Sequence, residues 1–151
     1  MKQHSVLRVV SKILIPLILL FALYVQFHGD FGPGGGFQAG VIFAAGFILY
    51  ALVFDLDRAR RVVPAWLLRV AVSLGVLLYG GVGVVCLLLG GEFLNYNVLA
   101  HEPSHGQHLG IFLVELGVGI TVATAMITIF FTFASRGRPK RAVIPTTIHE
   151  D

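Results

Sequence analysis

Apolar residues fall into four long runs, Val9 to Phe27, Phe37 to Phe54, Trp66 to Leu89 and Leu109 to Ala134, separated by segments that hold nearly all the charge. The hydrocarbon core of a bilayer is about 30 Å thick and a helix rises about 1.5 Å per residue, so a spanning helix needs about 20 mostly apolar residues. All four runs are close to or above that length. None has a polar face, and in water nothing would remain to cover four helices that are apolar all round. The pattern predicts an all-α membrane protein of four transmembrane helices, a single integral-membrane domain over residues 1–141 followed by a tail over 142–151. Pro16 is expected to bend the first helix, Pro64 to start the third, and Trp66 to anchor it at the membrane interface.

The polar segments set the topology. The eleven Lys and Arg residues are Lys2, Arg8 and Lys12 at the start of the first run, Arg58, Arg60, Arg61 and Arg69 around the second connection, and Arg136, Arg138, Lys140 and Arg141 after the fourth run. The first and third connections carry none. Loops dense in Lys and Arg stay in the cytoplasm, so both termini are expected inside, with the first and third connections outside. The first connection, His28 to Gly36, is so short that the helices it joins must be antiparallel neighbours in an outer glycine-rich hairpin. Pro33 fixes its own φ and keeps Gly32 out of helix, while the glycines supply backbone angles closed to other residues. No Gly-Lys-Ser/Thr follows, so this is not a phosphate-binding P-loop. Large Phe27 and His28 stand where a signal-peptide cleavage site needs small residues, so the first segment is expected to be kept.

Composition agrees with a membrane class: 56% of residues are apolar and 13% charged, against roughly 45–50% and about 25% in soluble domains. The net charge of +3 sits at the ends of apolar runs, where topology and lipid headgroups account for it and nucleic acid is not implied. Cys86 has no partner for an internal disulfide and reads as buried apolar filler.

Glu115 is the one acidic residue inside the four runs. A carboxylate at that depth costs a few kcal/mol unless it is neutral, paired or facing water, which makes it an ion-path candidate; a protonated carboxyl bonded to a neighbouring helix is the structural alternative. His101, His105 and His108 have helical spacing, but Pro103 interrupts them and they lack a complementary ligand set, so no metal site or cofactor is expected. A small metalloenzyme or oxidoreductase subunit using these histidines is the rival reading, and a homo-oligomeric channel is a second, disfavoured by the shortage of pore-lining polar residues. Small residues recur at helical spacing as Gly36, Gly40 and Ala44 and as Gly117, Thr121 and Ala125, with Gly80, Gly81 and Gly83 on the third run. Such stripes let helix backbones approach closely in lipid, and there are enough of them to favour a subunit over a free monomer.

The segment from Phe27 to Gly40, with its His28 and Pro33-Gly34-Gly35-Gly36-Phe37 core, resembles the signature of the MrpB/MnhB-type subunit of the multisubunit Mrp (Mnh or Pha) cation/proton antiporters. The stretches His108 to Ile111, Glu115 to Val118 and Thr121-Val122 resemble the same family's second block, so the likeness covers nearly the whole chain. Asp30-Phe31-Gly32 departs from the familiar form and leaves the core intact. The resemblance implies an accessory, non-enzymatic subunit of a hetero-oligomer in the bacterial inner membrane, exchanging Na⁺ for H⁺ under the proton-motive force. Its partners would be the other antiporter subunits. Related subunits occur in hydrogenase and complex-I-like ion-pumping assemblies, the alternative setting. On this likeness His28, Pro33, Gly34, Gly35, Gly36 and Phe37 form the family hairpin, Glu115 is the membrane-embedded acid, and Gly40, Gly117 and Thr121 are helix-packing positions.

Overall fold

A computed structural model describes residues 2–29, 34–100 and 102–136; Pro33, His101 and the tail from 137 onward lie outside the described residues. The helices are α1 (Lys2–His28), α2 (Gly36–Phe54), α3 (Leu56–Val62), α4 (Ala65–Leu88) and α5 (Pro103–Arg136), with a 3₁₀ turn at Tyr96–Leu99. Four of them, α1, α2, α4 and α5, are long and apolar enough to cross a membrane. Only 11% to 28% of their apolar stretches is buried inside the chain. Most aliphatic side chains therefore point outward, which lipid tails tolerate and water would not.

The long helices pack in the order α1, α2, α5, α4, so α5 touches neighbours on both sides and α1 and α4 lie at the two edges. α2 and α5 run parallel, because Gly36 meets Glu115 and, one turn on, Gly40 meets Gly119. α4 runs against them. A methyl group added at Gly75 of α4 would come within 2.8 Å of the Gly117 carbonyl oxygen, and one at Gly117 within 2.9 Å of the Gly75 carbonyl oxygen. These backbones touch because no side chain stands between them, and in lipid such close packing replaces the hydrophobic drive for helices to associate.

Polar side chains on the long helices are largely satisfied within their own helix. On α5, Thr121 donates to the Gly117 carbonyl at 2.8 Å, and Thr124, Thr128 and Thr132 each donate to the carbonyl four residues back at 2.7 Å. Hydroxyls held in this way can enter a membrane helix at little cost.

The charged corner from Asp55 to Arg61 folds as a short helix, α3. Asp55 ends α2 and starts α3 at once: its φ of 93° reverses the chain, and its carboxylate accepts the Leu56 N–H at 2.8 Å. Asp57 in the first turn and Arg60 and Arg61 in the last complement the helix dipole. Buried Leu56 and Ala59 join Leu68, Ile127 and Phe131 in the main apolar cluster, at the basic end of the bundle. Arg60 Nη2 donates to the Phe131 carbonyl at 3.1 Å and ties α3 to α5.

At the opposite end, α5 starts at Pro103, ahead of its apolar run, and the 3₁₀ turn packs beside it. The Tyr96 ring lies on Gly110 and its carbonyl on Gly106, while Gln107 donates to the Asn97 side-chain oxygen at 2.8 Å. Burial, with Tyr79 and Cys86 adding, pushes the Tyr96 hydroxyl above its usual range.

Gly75 and Gly80 separate close packing from open surface. A side chain at Gly75 would collide with α5, whereas one at Gly80 would meet nothing within 4 Å. Gly75→Val is expected to destabilise the protein by about 1–3 kcal/mol and to lower its melting temperature in detergent. Gly80→Val is expected to leave that temperature unchanged.

Candidate functional site

The hairpin between α1 and α2 is where the close packing meets the membrane acid. α1 ends at His28, whose ring stacks on Tyr24 with centroids 5.2 Å apart, and Phe27 stacks on Phe112 of α5 at 5.8 Å. Those aromatic contacts hold the end of α1 to its own preceding turn and to α5. Gly29 follows in a turn, and beyond the undescribed residues the chain returns at Gly34 and Gly35 and enters α2 at Gly36. Gly35 has φ 133° and ψ 173°, a backbone conformation that side chains other than hydrogen disfavour.

Glu115 is half-buried on α5, and its carboxylate rests against this hairpin. A methyl group added at Gly29 would run into both carboxylate oxygens, and one added at Gly35 would come within 3.1 Å of Oε1. One added at Gly36 would strike the Glu115 backbone carbonyl. Three glycines therefore give one glutamate its space: two make room for the carboxylate and the third for its backbone. The carboxylate also lies at the start of α2, beside Gly35.

One turn further into the bundle is a second polar group. Gln26 of α1 is 7% exposed, its Oε1 lies against Gly119, and its Nε2 has no hydrogen-bond partner among the described residues. Gln26 borders a cavity of about 250 Å³ between α1, α2 and α5, whose other walls include Ala22, Gly40, Phe43 and Ala123. Glu115 and Gln26 thus line successive turns of the same α1–α5 contact.

The remaining sequence-predicted positions divide. Gly34 packs against the Val25 carbonyl, and Phe37 is exposed at the start of α2. Gly40 faces Gly119 and Ala123, whereas Gly117 and Thr121 face Gly75 on the opposite side of α5. Gly83 is covered by the Phe93 ring, and Gly80 and Gly81 face open space. His105 lies 3.7 Å from Glu102 in the exposed first turn of α5, and no group of three potential metal ligands gathers among the described residues.

Comparison with known proteins fits this arrangement. Residues 6–128 match the family described as "Domain related to MnhB subunit of Na+/H+ antiporter". The chain belongs to the MnhB family. An MnhB relative from Staphylococcus haemolyticus (strain JCSC1435), named "Putative antiporter subunit mnhB2", is 34% identical over 138 residues, covering 89% of this chain and 97% of the relative. Its counterpart from Staphylococcus aureus (strain Newman) is 33% identical over the same shares. The MnhB match takes in the hairpin, Gln26, Glu115 and both faces of α5.

Sequence reasoning passed over Gly29, Gln26, Gly75 and Gly119. Gly119 and Ala123 form a four-residue small-residue step, as do Ala71 and Gly75, so a systematic search for that spacing would have found two of the four. Gly36→Ala is expected to lower the melting temperature more than Gly29→Ala, because it meets backbone where Gly29→Ala meets a movable carboxylate. Equal melting temperatures for the two variants would contradict the contact geometry.

Proposed function

We propose that this chain is an accessory, non-enzymatic membrane subunit of a multisubunit Na⁺/H⁺ antiporter in which Glu115 faces the ion path. The carrying observation is the Glu115 carboxylate held against the glycine hairpin, the single acid within four apolar helices. Family membership and the names of the staphylococcal relatives support the transport reaction.

In this reading the complex takes up external H⁺ and exports cytoplasmic Na⁺, driven by the proton-motive force. A carboxyl at this position serves both ions: protonated it is neutral, and ionised it offers oxygen ligands to a hard cation. The hairpin keeps the carboxyl in place, since glycine leaves room for both oxygens. Gln26, one turn deeper, supplies an amide able to donate or accept along the same contact. The remaining subunits would cover part of the outward apolar surface, with the open Gly80 and Gly81 as one close-approach patch. The chain lies in the bacterial cell membrane with both termini in the cytoplasm, an orientation that the distribution of Lys and Arg supports.

Glu115→Gln keeps the shape and removes the ionisable group. In everted vesicles carrying the whole complex, it is expected to lower Na⁺-dependent proton exchange at least about tenfold, with assembly unchanged. Glu115→Asp is expected to retain part of the exchange. Wild-type exchange by an assembled Glu115→Gln complex would overturn the ion-path assignment.

A further inference from the structure

We propose that the groove between α1, α2 and α3 at the basic end binds the headgroup of an anionic phospholipid. Arg8 and Lys12 stand one turn apart on α1, and the chain reversal at Asp55 brings Arg58 of α3 to the same groove, whose volume is about 450 Å³. Three cations from two separate segments therefore line one concavity. All three are exposed, and none pairs with a carboxylate among the described residues. Of the neighbouring acids, Asp55 caps α3 by accepting the Leu56 N–H at 2.8 Å, and Asp57 lies in the first helical turn.

The rest of the lining identifies the occupant. Ile15 and Pro16, one turn further into the membrane than Lys12, form one apolar wall, and Tyr50 and Phe54 form the other with ring centroids 5.0 Å apart. A free phosphate or an acidic protein segment would use the cations and leave those walls without a role. A phospholipid uses both. Its phosphodiester meets two guanidinium groups, which bind phosphate oxygens in pairs, and one ammonium, while the first acyl carbons lie along Ile15, Pro16 and Phe54. The groove also sits where Lys and Arg cluster beside membrane helices, the setting in which basic pockets take anionic lipid. This inference does not depend on the role of Glu115. It gives Arg8, Lys12 and Arg58 a task beyond topology.

The test is native mass spectrometry of the full-length chain, released from detergent after incubation with equal amounts of phosphatidylglycerol and phosphatidylcholine. Wild-type protein is expected to retain phosphatidylglycerol preferentially, and the triple variant Arg8→Gln, Lys12→Gln, Arg58→Gln to lose that preference by on the order of tenfold. A variant with equal charge loss at the same end, Arg61→Gln, Arg69→Gln, Arg136→Gln, is expected to keep it. Should the triple variant fail to fold, Lys12→Gln and Arg58→Gln are read singly, each with a partial loss expected. Equal preference in wild type and groove variants, or an equal loss in the control, would overturn the site. Full displacement of the lipid by inorganic phosphate would also overturn it, by showing that the acyl walls contribute nothing.

Discussion

Two helix backbones in contact, α2 on α5 at Gly36 and Gly40, set the position of nearly everything else. Any side chain at Gly36 would part the helices, and with them the hairpin from the carboxylate it holds. Apolar side chains gain no more from touching each other than from touching lipid tails, so the contact depends on how closely the backbones can approach. α5 repeats the device on its other face, where Gly117 meets Gly75 of α4. One helix is thus pinned from both sides, and its polar residues are fixed in place.

The same solvent decides which polar groups matter. In a bilayer a hydroxyl or amide must find a partner within the protein, and the threonines of α5 find theirs one turn back in their own helix. Glu115 is different in kind, because a carboxylate has more acceptor capacity than one helix can fill. It lies where the chain departs from helix, against the glycine hairpin, and irregular backbone at membrane depth is tolerated where it is buried in protein or lines a cavity. Gln26 and the cavity beside it continue that exception into the bundle.

The helices long and apolar enough to span, the glycine-rich connection and the isolation of Glu115 as the one acid in the runs are legible in the sequence, because each follows from one-dimensional facts: run length, glycine density and a lone acid. The order of the helices is not, since the small-residue stripes mark packing faces without saying which helix each one meets. α3 was hidden for another reason. Seven residues give too little periodicity to separate a helix from a charged loop, and its existence depends on the capping of Leu56 by Asp55 and on the tie from Arg60 to Phe131. The floor beneath the Glu115 carboxylate was hidden too, because Gly29 reads as one more hairpin glycine until α5 is laid against it. Gln26 stands near the end of the first apolar run, and only the packing of α1 on α5 reveals it as buried.

In the proposed ion path, the Glu115 carboxyl changes protonation in response to the cation. Isotope-edited infrared difference spectroscopy of the intact antiporter in lipid, recorded with and without Na⁺ at fixed pH, observes that group directly. The account requires a protonated-carboxyl band that is lost when Na⁺ is added and is missing from the Glu115→Gln complex under both conditions. Superimposable difference spectra from the two proteins would contradict it.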